Sequence, residues 1–117
     1  MKILYGARMA RFDLLRAVCG LACHVTKWTA ECDKRLRRLI CYIHSTLHDR
    51  LVGWVGDPPE EITPHLFADA DLGGCTSTQR STSGAHFVLR GPNTYFPIAA
   101  GSKRMACVVL STTEAEL

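Results

Sequence analysis

"HLFADADLGG", residues 65–74, decides how the second half of this chain folds. Side chains of an extended strand alternate between faces, so Phe67, Asp69 and Asp71 share one side and Leu66, Ala68 and Ala70 the other. Gly73 and Gly74 then close the run as a turn. Moving outward, GGCTSTQRSTSG (73–84) reads as a polar turn region, AHFVLRG (85–91) as a second strand, PNT (92–94) as a tight turn and YFPIAAGS (95–102) as a third strand. Connections this short leave no room for a crossover, so the three strands are expected to be antiparallel neighbours. STTEAEL (111–117) carries helix-start chemistry, with Ser111 and Glu114 in the S-x-x-E spacing of a capping box.

Upstream the period changes. RFDLLRAVCGLACHVTKW (11–28) places Leu14, Leu15, Val18, Leu21, Ala22 and Val25 at helical spacing, weakened a little by Gly20. TAECDKRLRRLICYIHSTLHD (29–49) predicts a second helix with Thr29 as N-cap. Its residues Leu36, Leu39, Ile40, Ile43 and Leu47 gather on one side, while Lys34, Arg35, Arg37 and Arg38 spread over the other. A short break around Lys27 and Trp28 makes the pair a helical hairpin. LVGWVG (51–56) is a short strand-like run, and the three prolines of DPPEEITP (57–64) mark the organisational boundary.

The chain has 117 residues, 47% of them apolar and 21% charged, the composition of an ordinary globular protein with one modest core. No run of about 18 apolar residues occurs, so no membrane span is expected. Arginines break up the residues after Met1 and Lys2, which argues against a secretory signal and for an intracellular location. Six scattered cysteines with no C-x-x-C pair read as reduced, mostly buried thiols. Charge is uneven: residues 1–50 hold ten Lys/Arg against four Asp/Glu, residues 51–117 four against seven. A basic half joined to an acidic half suits one part that meets polyanion and another that collects cations, and suits two plain solvated surfaces equally.

Asp69 and Asp71 at a strand end raise the possibility of a hard divalent ion, magnesium above all, which prefers carboxylate oxygens. An acidic turn before Gly-Gly accounts for the same residues without a metal. The basic side of the second helix could track a phosphate backbone, or simply face water.

FADADLGG (67–74), RSTSGAHFVLRG (80–91) and SKRMACVVLSTTEAEL (102–117) together resemble the ribonuclease H region of copia-type LTR retrotransposon polyproteins. That family has S-D-A-D-W-A-G, then K-S-T-S-G before an aromatic strand, then S-K-K-Q and L-S-S-T-E-A-E-Y, in the same order and at similar spacing. KILYGARMARFDLLRAV (2–18) is similar to its segment containing T-R-P-D-I, and LRRLICYIHSTLHDRLVG (36–53) to its R-I-L-R-Y-L-K-G-T-L. The departures are Leu72 for the family's Trp, Leu117 for its final Tyr, Phe12 for the Pro of T-R-P-D, and no Trp around Ile98, Ala99 and Ala100.

The resemblance implies an α+β chain: a helical connection segment over 1–55, then, over 56–117, the first part of a ribonuclease H-like domain with three antiparallel strands and the start of a helix. It places Asp69 and Glu116 at two of four catalytic, Mg2+-binding carboxylate positions, with Asp71 and Glu114 as neighbours. In the complete family site two metal ions divide the work of activating water and stabilising the leaving oxygen. The implied parent activity is hydrolysis of the RNA strand of RNA–DNA hybrids, with the rest of the polyprotein as partner. With two of the four carboxylates, a truncated piece is expected to be inactive alone. Two other readings stay open: a non-catalytic nucleic-acid-binding or interaction module using Lys34, Arg35, Arg37 and Arg38, or a decayed transposon reading frame.

Overall fold

The computed structural model describes residues 2–75, 78–108 and 111. It is a mixed α+β chain in which three helices precede a three-stranded antiparallel sheet. Two compact units, Met1–Arg50 and Leu51–Leu117, divide it where the charge balance changes sign. Leu51–Val55, read above with the helical segment, lie with the sheet unit, where Trp54 and Tyr95 exchange backbone hydrogen bonds of 2.9 and 3.0 Å.

In the first unit α1 (Lys2–Met9), α2 (Leu15–Ala22) and α3 (Ala30–Ser45) surround a small core. Leu14, Leu15, Val18 and Leu21 are buried at the spacing of one α2 face, and Ala7 of α1 is fully enclosed. α3 contributes Cys32 and Leu39, with Leu36 and Ile43 half-buried between and beyond them. The apolar stripe is narrower than the wheel implied, since Ile40 and Leu47 remain 51% and 54% exposed.

The two predicted helices are revised in length. Residues 11–28 form a 3-10 turn (Phe12–Leu14), then α2, then a second 3-10 turn (Val25–Lys27), because Val25 is left exposed and adds nothing to the core. α3 does begin at Thr29, whose hydroxyl accepts the Cys32 N–H at 3.4 Å, but it stops at Ser45. There Thr46 turns out of helical geometry, its hydroxyl donating to the Tyr42 carbonyl at 2.7 Å. The Arg11 guanidinium covers this end, reaching the Thr46 carbonyl at 3.1 Å and hydroxyl at 2.7 Å, where a cation also suits the helix dipole.

α1 was not anticipated. Eight residues with Gly6 in the middle are too short to persist as an isolated helix, so α1 exists by packing on α2. The cysteine reading is also revised: none of the six is in a disulfide, but only Cys32 is buried, and Cys23, Cys41 and Cys107 are exposed. Burial pushes the half-buried Cys19 thiol upward, with Cys23 nearby adding to the effect.

The second unit is a meander of β1 (Thr63–Asp71), β2 (Thr82–Gly91) and β3 (Thr94–Arg104), with β2 in the centre. Strands start and end somewhat beyond the expected runs. Thr82, Ser83 and Gly84, read as turn, pair with Asp71, Ala70 and Asp69. The register slips between Phe87 and Val88: Val88 faces Pro97 and Phe87 faces Ala99, leaving Ile98 as the extra residue of a bulge. Pro97, which has no N–H to give the ladder, sits at this irregularity and packs beside fully buried Val88.

The β2–β3 turn is the best-anchored point of the unit. Pro92 fixes a negative φ and Asn93 keeps one too, so the turn is not of the primed kind that matches strand twist. Asp57 compensates by strapping it from outside. Its carboxylate accepts the Asn93 backbone N–H at 2.7 Å and the side-chain amide at 3.1 Å. The Thr94 hydroxyl in return accepts the N–H groups of Gly56 and Asp57, both at 3.1 Å. Gly91 has to be glycine because a Cβ there would run into the Asp57 carboxylate.

Candidate functional site

Asp69 and Asp71 lie on one face of β1, about 7 Å apart along the strand. Their surroundings separate them. The Asp71 carboxylate is half-buried and accepts the backbone N–H of Thr82, its cross-strand partner. It lies against Gly74, where any Cβ would collide with it, and the neighbouring Gly73 N–H donates to the fully buried Ser81 hydroxyl at 3.1 Å. Asp71 therefore closes the end of the β1–β2 hairpin.

Asp69 has no such duty. It is exposed, and its side chain makes no hydrogen bond among the described residues. Its partner across the ladder is Gly84, so no side chain stands opposite it on β2. The result is a carboxylate with open space at its flank, on a strand whose outer edge pairs with nothing among the described residues. The strand around it faces water, with Leu66 and Phe67 68% and 46% exposed.

Phe67 instead joins a small surface stack, with the His65 ring 6.3 Å away and the Arg90 guanidinium 6.0 Å from its centroid. In sequence these three gave no signal, since Arg90 meets Phe67 only through the β1–β2 register.

The oxygen chemistry of Asp69 suits Mg2+, but a cation of that kind needs several such ligands. Among the described residues no three His, Cys, Asp or Glu side chains gather as a metal site. Glu116, the second carboxylate of the sequence-based pair, lies outside the described residues, as do Glu114 and the helix expected from residue 112 onward. Asp69 by itself offers a single carboxylate, fewer oxygens than such a cation takes.

Lys34, Arg35, Arg37 and Arg38 are all exposed on α3. Successive residues turn by about 100°, so the four do not form a single row. Glu31 takes Lys34 at 3.9 Å and Arg35 at 3.5 Å. Arg35 and Arg38 lean toward α2 and line a cleft there together with Arg16, whereas Lys34 and Arg37 do not.

A network missed by sequence reasoning centres on Arg11, Asp13 and Tyr42. Arg11 grips Asp13 through two hydrogen bonds of 2.8 and 3.0 Å, and the Tyr42 hydroxyl donates to the same carboxylate at 3.1 Å. The Arg11 hydrogen bond holds the Asp13 carboxyl below its ordinary range, and the accepting carboxylate raises Tyr42. Arg11 and Asp13 are the charged pair of the segment that resembles T-R-P-D-I, and here they fasten the end of α3.

Comparison with models of protein families, with curated proteins and with solved structures returns no match.

Proposed function

We propose that residues 56–117 are the opening part of a ribonuclease H-like domain of a copia-type retrotransposon polyprotein, preceded by its helical connection segment. The activity of the parent protein is then hydrolysis of the RNA strand of RNA–DNA hybrids, with Asp69 as one of the Mg2+-binding carboxylates. Glu116 is its partner, contributed by another element because a single turn cannot bracket two metal ions. The observation that carries this reading is the unequal use of two neighbouring acids. Asp71 is consumed by the fold, while the motif-matched Asp69 stands exposed, unpaired among the described residues and opposite a glycine. The antiparallel β1–β2–β3 meander is the strand order such a domain opens with, and it supports the reading at the level of topology.

The test is Mg2+-dependent cleavage of a labelled RNA–DNA hybrid by the polyprotein that carries these residues. Asp69→Asn is expected to reduce cleavage to background, and Asp71→Asn to act mainly through stability. Cleavage that persists in Asp69→Asn removes this residue from the site.

A further inference from the structure

The helical unit holds a cleft that the nuclease reading does not use. α2 and α3 pack on each other and leave an opening of about 510 Å3. Leu14, Leu21 and Leu39 form its floor, each at least nine-tenths buried, and Ala17 and Gly20 form a low wall. At Gly20 the space is open, since a Cβ there meets nothing within 4 Å. Three arginines, Arg16, Arg35 and Arg38, stand around this apolar surface.

The rim is electrostatically one-sided. Among the described residues Asp13 is its single carboxylate, and it is already occupied by Arg11 and the Tyr42 hydroxyl. Glu31 approaches Arg35 only at 3.5 Å and in an exposed pair, which binds weakly and is easily exchanged. The unit as a whole has six more basic than acidic residues over positions 1–50. Arg35 and Arg38 are one turn apart on α3, so they match acidic side chains spaced one turn apart on a facing helix.

We propose that this cleft is a docking site for an amphipathic, acidic helix of a protein partner. Its apolar stripe seats on Leu21, Leu39 and the low wall at Ala17 and Gly20, where small side chains admit a third helix closely. Its flanking Asp or Glu carboxylates meet Arg35 and Arg38. A groove between two packed helices is the shape that a helix fills, and apolar anchors at helical spacing supply the contact. Nucleic acid fits less well, because phosphates gain nothing from a leucine floor. The proposal stands independently of the nuclease assignment.

The probe is a fluorescent alanine-based helical peptide with leucines at i, i+3, i+4 and i+7 and glutamates flanking them, titrated onto the full chain by anisotropy. A peptide with lysines in place of the glutamates is the control. The glutamate peptide is expected to bind and the lysine peptide not. Arg38→Ala should weaken binding about tenfold, the scale of one hydrogen bond to a charged group. Gly20→Leu fills the wall and should abolish binding. Arg35→Glu with Arg38→Glu should reverse the preference toward the lysine peptide, a readout that loss of folding cannot imitate. No binding of the glutamate peptide, equal binding of both, or full binding to Gly20→Leu would overturn the proposal. So would displacement of the peptide by an RNA–DNA hybrid, which would assign the cleft to nucleic acid.

Discussion

Single residues in this chain owe their roles to the groups the fold sets beside them. Thr29 caps α3 because its hydroxyl accepts the Cys32 N–H at 3.4 Å, beside the 2.9 Å bond that the same N–H gives the Thr29 carbonyl. Thr29→Ala is expected to cost about 1 kcal/mol, read as a lower urea midpoint for the helical unit. Asp13 gives a pH signature. Folding holds its carboxyl below the ordinary 3.8, chiefly through the hydrogen bond from Arg11. The unfolded chain therefore binds more protons in that range, so the contribution to stability is complete above the ordinary value. It is lost as the pH falls through the depressed one. Amide protection near Thr46, taken relative to the intrinsic exchange rate at each pH, should fall on acidification across that window, and Asp13→Asn should flatten the fall. An unchanged profile in Asp13→Asn would assign the pH dependence to other carboxylates.

At the scale of elements, what could be read from sequence followed local periodicity. β2 and β3 were legible from alternating apolar residues bounded by Gly91, Pro92 and Asn93, and the start of α3 from Thr29. α1 was not, because its stability comes from the α2 surface it covers rather than from its own residues. The end of α3 was missed for a related reason: Leu47 continues the helical pattern set by Leu36, Leu39, Ile40 and Ile43, but Arg11 claims the terminus from 35 residues away in sequence. Asp69 and Asp71 look alike in the sequence, and only the register with Gly84 and Thr82 tells them apart.

The β1 strand carries its own prediction. Its outer edge pairs with nothing among the described residues, and it exposes Leu66 and Phe67. Open apolar edges recruit other strands, so the chain should self-associate with rising concentration in sedimentation velocity. Leu66→Lys, a charge on that strand, should shift the distribution toward monomer. A sharply melting monomer at all concentrations would contradict this account of β1.

For the molecule as a whole, the basic and acidic halves coincide with two compact units, one helical with an arginine-rimmed cleft and one a sheet bearing a carboxylate that is unengaged among the described residues. If Lys34 and Arg37 also meet phosphates, Lys34→Ala with Arg37→Ala should reduce the slope of log affinity against log salt for an RNA–DNA hybrid by about 0.9 for each phosphate no longer neutralised.

The nuclease reading rests on convergence of two acids distant in sequence. Paramagnetic broadening by Mn2+, a stand-in for Mg2+, in amide spectra of the full chain tests that convergence most directly. The account predicts that signals around residues 69 and 116 fade together at low Mn2+ and that Asp69→Asn restores both. Broadening confined to one of the two regions, or unaltered by Asp69→Asn, would contradict it.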